Sequence, residues 1–135
     1  MGKNIAAGVS GTLVAVGLVW IIEIAGHTIY PPPPDLDFTD SDAVRIYVAG
    51  LPLGAFLFLG AAWFIGTLGG TLVACYVGSA APRIFAMIIG ALMLVATASN
   101  LAMIPHPLWF SVTGIVGIVI AAWLGMLISK KVKRV

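Results

Sequence analysis

Apolar residues fill this chain in long blocks, and the polar positions between the blocks set the elements. Residues 5–27, 53–77, 83–104 and 108–129 are hydrophobic stretches of near membrane-spanning length, so a helix is predicted over each. At a rise of 1.5 Å per residue, about 20 residues cross the roughly 30 Å hydrocarbon layer of a bilayer. The run from 44 to 81 is near-continuously apolar, too long for one untilted span and barely long enough for two. Its leading part, 41–50, reads as a short surface helix capped by Asp40 or Ser41, with Pro52 tolerated in the first turn of the next span. The expected fold is an all-α membrane protein. It has one domain over 1–135, four transmembrane helices in an up-down bundle, and a short outer-surface helix before the second span.

Composition agrees with the pattern. Hydrophobic residues make up 61% of the chain and charged residues 9%, against about 25% charged in soluble domains. Four spans leave no room for a separate soluble domain. The few charges then decide span count and orientation. With four spans and a cytoplasmic N-terminus, Lys3, Arg83 and the tail Lys130, Lys131, Lys133 and Arg134 fall inside, and the acidic first loop falls outside with Arg45 as its one cation. A fifth span would carry Arg83 and the tail outward, against the positive-inside tendency. The formal charge of +2 sits largely in that tail, which reads as a cytoplasmic membrane border on anionic headgroups and argues against a nucleic-acid partner. The run after Lys3 exceeds the apolar region of a secretory signal and no small-x-small cleavage site follows it, so a retained first helix is expected.

Aromatic residues offer a second check, because Trp and Tyr favour membrane interfaces. Trp20, Tyr30, Tyr47, Trp109 and Phe110 are expected at the outer side, Tyr76 and Trp123 near the inner one, and Trp63 mid-span. Small residues at intervals of four, Thr113, Gly117, Ala121 and Gly125 in the last span and Gly66 and Gly70 in the second, predict close helix approach. The pattern leaves open whether the partner helix belongs to the same chain. The prolines at 31–34 predict a stiff, extended exit from the first span that lifts the aspartates off the membrane. Cys75 is the sole cysteine, so no intrachain disulfide forms, and its apolar setting predicts a small packing residue.

Candidate chemistry concentrates at the predicted outer face. Glu23 and His27 are four apart on the first span, with Trp20 and Tyr30 extending the same stripe. An ionisable residue inside a span is a functional candidate by default. Asn100 near the end of the third span and His106 in the loop Pro105-His106-Pro107 approach the same face, with Arg45 or the aspartates above. A shared ligand or proton site of Glu23, His27, Asn100, His106, Arg45 and Tyr30 is therefore expected. Within it, Glu23, His27 and His106 are adequate ligands for zinc or a similar divalent cation, with water as the fourth. Alternatively, the carboxylate and imidazoles relay protons, or Glu23 and His27 hydrogen-bond each other or Asn100 while His106 occupies the interface. No nucleophile–base–orienter set, phosphate loop or CxxC motif occurs, so an enzyme is the class with least support.

The pattern Glu23-x-x-Gly26-His27 with Tyr30-Pro31, and Pro105-His106-Pro107-x-Trp109 before the last span, resembles small uncharacterised bacterial four-span membrane proteins. The likeness covers most of the chain and supplies no activity. It implies a bacterial inner-membrane protein, multi-pass, with both termini cytoplasmic. Two functions follow as expectations. One is a polar pocket on the extracytoplasmic side that binds or transports a small ligand, proton or metal ion, in a homo-oligomer. The other is a non-catalytic accessory subunit whose glycine stripes pack on a larger membrane complex.

Overall fold

The structure, a computed structural model, describes residues 1–132. Lys133 and Arg134 of the basic tail lie outside the described residues. Five helices run in order: α1 (Gly2–Ile29), α2 (Ser41–Ala49), α3 (Leu53–Val77), α4 (Pro82–Met103) and α5 (Leu108–Val132), and there is no strand among the described residues. Four of them, all except α2, are long and apolar enough to cross a membrane. The chain is a multi-pass α-helical membrane bundle with one short extra helix.

Helix ends follow local chemistry. Pro82 opens α4 in its first turn, where a missing N–H costs nothing. Pro52 sits one residue earlier than expected, at the N-cap of α3 in an extended conformation. Asp40 caps α2 by accepting from the backbone N–H groups of Asp42 and Ala43, which settles the choice between Asp40 and Ser41. Beyond the proline run Asp35, Asp37, Asp40 and Asp42 are all exposed. After Pro33 the chain turns twice, with Leu36 N–H donating to the Pro33 carbonyl and Asp40 N–H to that of Asp37. Asp37 Oδ1 accepts from both the backbone N–H and the hydroxyl of Thr39, which holds its carboxyl below the ordinary range.

α3 is the central helix, packed on α1 along one side and on α4 and α5 along the other, while α1 touches α4 lightly and has no contact with α5. The α1–α3 crossing is antiparallel and built from small residues. A Cβ on Gly70 would stand 2.5 Å from the Gly11 carbonyl oxygen and 2.6 Å from Ala15 Cβ, and one on Gly11 would stand 2.6 Å from Ala74 Cβ. In lipid the helices gain nothing from escaping water, so this close backbone approach supplies the dispersion contacts that hold them. On the other side, Gly114 lies under the Trp63 ring and Gly125 against Thr71. The stripe glycines of α3, Gly66 and Gly70, thus pack on α1, and Gly125 of the α5 stripe packs on α3, all within one chain. Thr113 is the exception, being exposed. Phe110, expected at the interface, is buried at 3% exposure beside Trp63 and Phe56.

This topology sorts the charges. Asn4 Oδ1 accepts from Ser79 N–H, Ser79 Oγ–H and Ala80 N–H, tying the start of α1 to the α3–α4 turn. Lys3, Arg83, Lys130 and Lys131 therefore belong to one end of the bundle, the basic end. All five carboxylate side chains, Glu23, Asp35, Asp37, Asp40 and Asp42, belong to the opposite, acidic end.

Candidate functional site

At the acidic end the last turns of α1 and α4 and the first turns of α3 diverge around a cavity of about 450 Å³, roofed by α2. α2 places Val44, Tyr47 and Val48 over the opening, with the two valines buried. This is the i, i+3, i+4 face of a short amphipathic helix. Pro32 and Phe38 of the preceding loop fold back to the same rim. Ala55, Phe58 and Leu59 of α3 form a wall, and Phe58 packs close to Gly26 while meeting Tyr30 edge-on at 6.2 Å. The Tyr30 ring lies directly on Gly54, where a Cβ would collide with the phenol. Burial raises the Tyr47 hydroxyl above its ordinary pKa, so it stays a neutral donor and acceptor.

Five of the six expected site residues line this cavity: Glu23, His27, Tyr30, Asn100 and His106. Arg45 does not. It points elsewhere on α2 and pairs with Asp42 at 3.0 Å, both side chains being well exposed. Such a pair contributes at most about 1 kcal/mol. His27 is exposed at the rim, whereas Glu23 is partly buried. No hydrogen bond or ion pair joins Glu23 to His27 or to Asn100 among the described residues, and His27 acts on Glu23 only electrostatically, from one turn away.

Asn100 is the sharpest feature. Its backbone carbonyl accepts from Ile104 N–H and ends α4, while its side-chain Oδ1 is completely shielded and meets no donor. Leaving a buried acceptor unpaired costs on the order of 1–3 kcal/mol. Asn100 lines the cavity with other atoms, so a turn of its amide would be needed to offer this acceptor to a ligand donor or a water.

His106 is committed to its own loop. Its Nδ1 lies 2.8 Å from the Ile104 carbonyl oxygen, so Nδ1 carries the proton and donates. The ring stacks on Phe110 at 5.3 Å and meets Phe56 and Trp63 at 6.4 Å. Burial lowers its pKa below the ordinary 6.5, with the Ile104 hydrogen bond opposing. The neutral ring then keeps Nε2 as its acceptor.

The metal expectation concerns three of these residues. Glu23, His27 and His106 line one cavity, yet no group of three or more His, Cys, Asp or Glu side chains among the described residues is placed to hold a metal ion. The ring of His106 is fixed by Phe110 and Ile104, which leaves its Nε2 as the nitrogen turned to other partners. The aromatic and aliphatic half of the cavity was missed from sequence, although the Val44, Tyr47, Val48 spacing of the surface helix carried a signal for it.

These features define an α-helical, four-span membrane protein with a partly open, polar-and-aromatic cavity at its acidic end. No family model, curated protein or solved structure matches the chain.

Proposed function

We propose that this protein is a non-catalytic bacterial inner-membrane protein that binds, and in a homo-oligomer transports, a small organic ligand through its acidic-end cavity. The basic end faces the cytoplasm, following the positive-inside tendency, so the cavity opens on the extracytoplasmic side. One observation carries the reading. The cavity volume of about 450 Å³ lies within the range of small-molecule sites, and its walls are mostly apolar with a few convergent polar groups. The unpaired Asn100 Oδ1 adds to this support.

The competing reading, an accessory subunit docked through its glycine stripes, draws less support. Gly66 and Gly70 are taken up by α1, and Gly114 and Gly125 by α3, within the same chain. The test is native mass spectrometry of the protein purified alone in lipid nanodiscs, alongside Ala55→Trp, which fills the cavity. The expected result is a folded homo-oligomer carrying a small bound mass that Ala55→Trp removes. A chain that stays folded only with other subunits, and carries no such mass, overturns the reading in favour of the accessory subunit.

A further inference from the structure

We propose that the cavity recognises an ammonium group on an apolar body, with the Glu23 carboxylate holding it and Asn100 Oδ1 joining as a second acceptor once its amide turns towards the ligand. This rests on the reading of the cavity as a ligand site and specifies the class of ligand. The argument is a census of hydrogen-bonding groups. Glu23 brings a carboxylate with no hydrogen-bonded or ion-paired protein partner among the described residues. Asn100 brings a shielded Oδ1 with no donor. His106, its Nδ1–H already given to Ile104, retains only an acceptor nitrogen in its neutral form.

No lysine or arginine lines the cavity, since Arg45 is paired with Asp42 outside it and the described lysines belong to the basic end. His27 at the rim and the Tyr30 and Tyr47 hydroxyls can donate as well as accept, so the sign of the site is set by the Glu23 carboxylate, and a carboxylate inside a span favours a ligand that is positively charged. The surrounding rings, Tyr30, Tyr47 and Phe58, suit the same ligand twice over: their faces attract a cation, and their edges and the neighbouring valines bury its apolar part. An anion would meet the Glu23 carboxylate, and a neutral alcohol would leave that charge with only the rim residue His27 acting on it.

Two sources supply this chemistry. One is a soluble hydrophobic amine; the other is the ethanolamine headgroup of a bilayer lipid, since the cavity lies at the end of the spans where headgroups sit. The probes are benzylamine, benzyl alcohol and benzoate, of similar shape and different charge, titrated calorimetrically into the wild-type protein in phosphatidylglycerol nanodiscs. Benzylamine is expected to bind at least about tenfold more tightly than the other two, as a charge-assisted hydrogen bond implies. Glu23→Gln and Asn100→Leu are each expected to remove that preference while helicity and oligomer size are unchanged.

Replacing half the lipid with phosphatidylethanolamine distinguishes the sources. Loss of benzylamine binding identifies the lipid headgroup as the occupant, and unchanged binding identifies a soluble amine; either outcome supports ammonium recognition. Equal affinity for amine and alcohol, or an amine preference that survives both substitutions, overturns the proposal while leaving the cavity a ligand site. Binding by none of the probes, with no bound mass in the nanodisc experiment, overturns both readings.

Discussion

Gly70→Ala tests whether the α1–α3 crossing holds the bundle together. The added Cβ would stand 2.5 Å from the Gly11 carbonyl oxygen, 2.6 Å from Ala15 Cβ and 3.2 Å from Ala15 Cα. Ordinary contacts of these types lie near 3.5 Å, so α1 must move off α3 by about 1 Å. The obstacles are backbone and a methyl group, and neither has a rotamer to retreat into. Overpacking of this kind costs about 1–3 kcal/mol. Alanine returns about 0.5–1 kcal/mol through its higher helix propensity. A net loss of about 0.5–2 kcal/mol is expected.

The assay is reversible unfolding in mixed micelles of increasing SDS fraction, followed by helicity. Gly17→Ala is the control, because its Cβ would meet nothing within 4 Å. It carries the same propensity gain without the clash. Equal stability of Gly70→Ala and Gly17→Ala would refute the claim that backbone proximity at this crossing holds α1 in place.

Two threonines one turn apart on α3 give a second comparison. Both are fully buried, but Thr67 Oγ1 donates to the Trp63 carbonyl at 2.7 Å whereas Thr71 Oγ1 has no partner. Thr71→Val removes an unsatisfied hydroxyl and is expected to leave stability unchanged or raise it by about 1 kcal/mol, while Thr67→Val loses about 0.5–1.5 kcal/mol; the reverse order in the same SDS titration refutes the assignment. His106 predicts a pH dependence. Its pKa is lowered in the folded protein, so below the ordinary 6.5 the unfolded chain binds the extra proton first. Stability should therefore be full above that value and fall as pH drops through it towards the folded pKa. His106→Phe should flatten the profile between pH 7 and 5, with unaltered steepness as the contrary result.

Span number, the surface helix and the separation of charges were legible in the chain because they depend on quantities that are local in sequence. A run of about 20 apolar residues has one economical place in a bilayer. Asp40 followed by the 41–50 segment carries its own cap, and the carboxylates and cations lie on alternate sides of the spans whatever their rotation. Glu23, His27 and Tyr30 could be grouped for the same reason, being on one stripe of one helix.

Only the tertiary structure decided how the helices are rotated and which of them touch. Arg45 and the aspartates were equally placed by sequence to close the site, and a 3.0 Å pair with Asp42 turned Arg45 away. The orientation of His106 was open until its ring stacked on Phe110 and its Nδ1–H donated to the Ile104 carbonyl. The glycine stripes stated that close contact would occur, but the identity of the partner required knowing that Gly70 meets Gly11. The Gly70–Gly11 contact is long-range, whereas the contacts of Arg45 and His106 are local and depend on side-chain orientation. Hydrophobic patterning carries little information about helix rotation in a membrane, where lipid-facing and buried positions are both apolar.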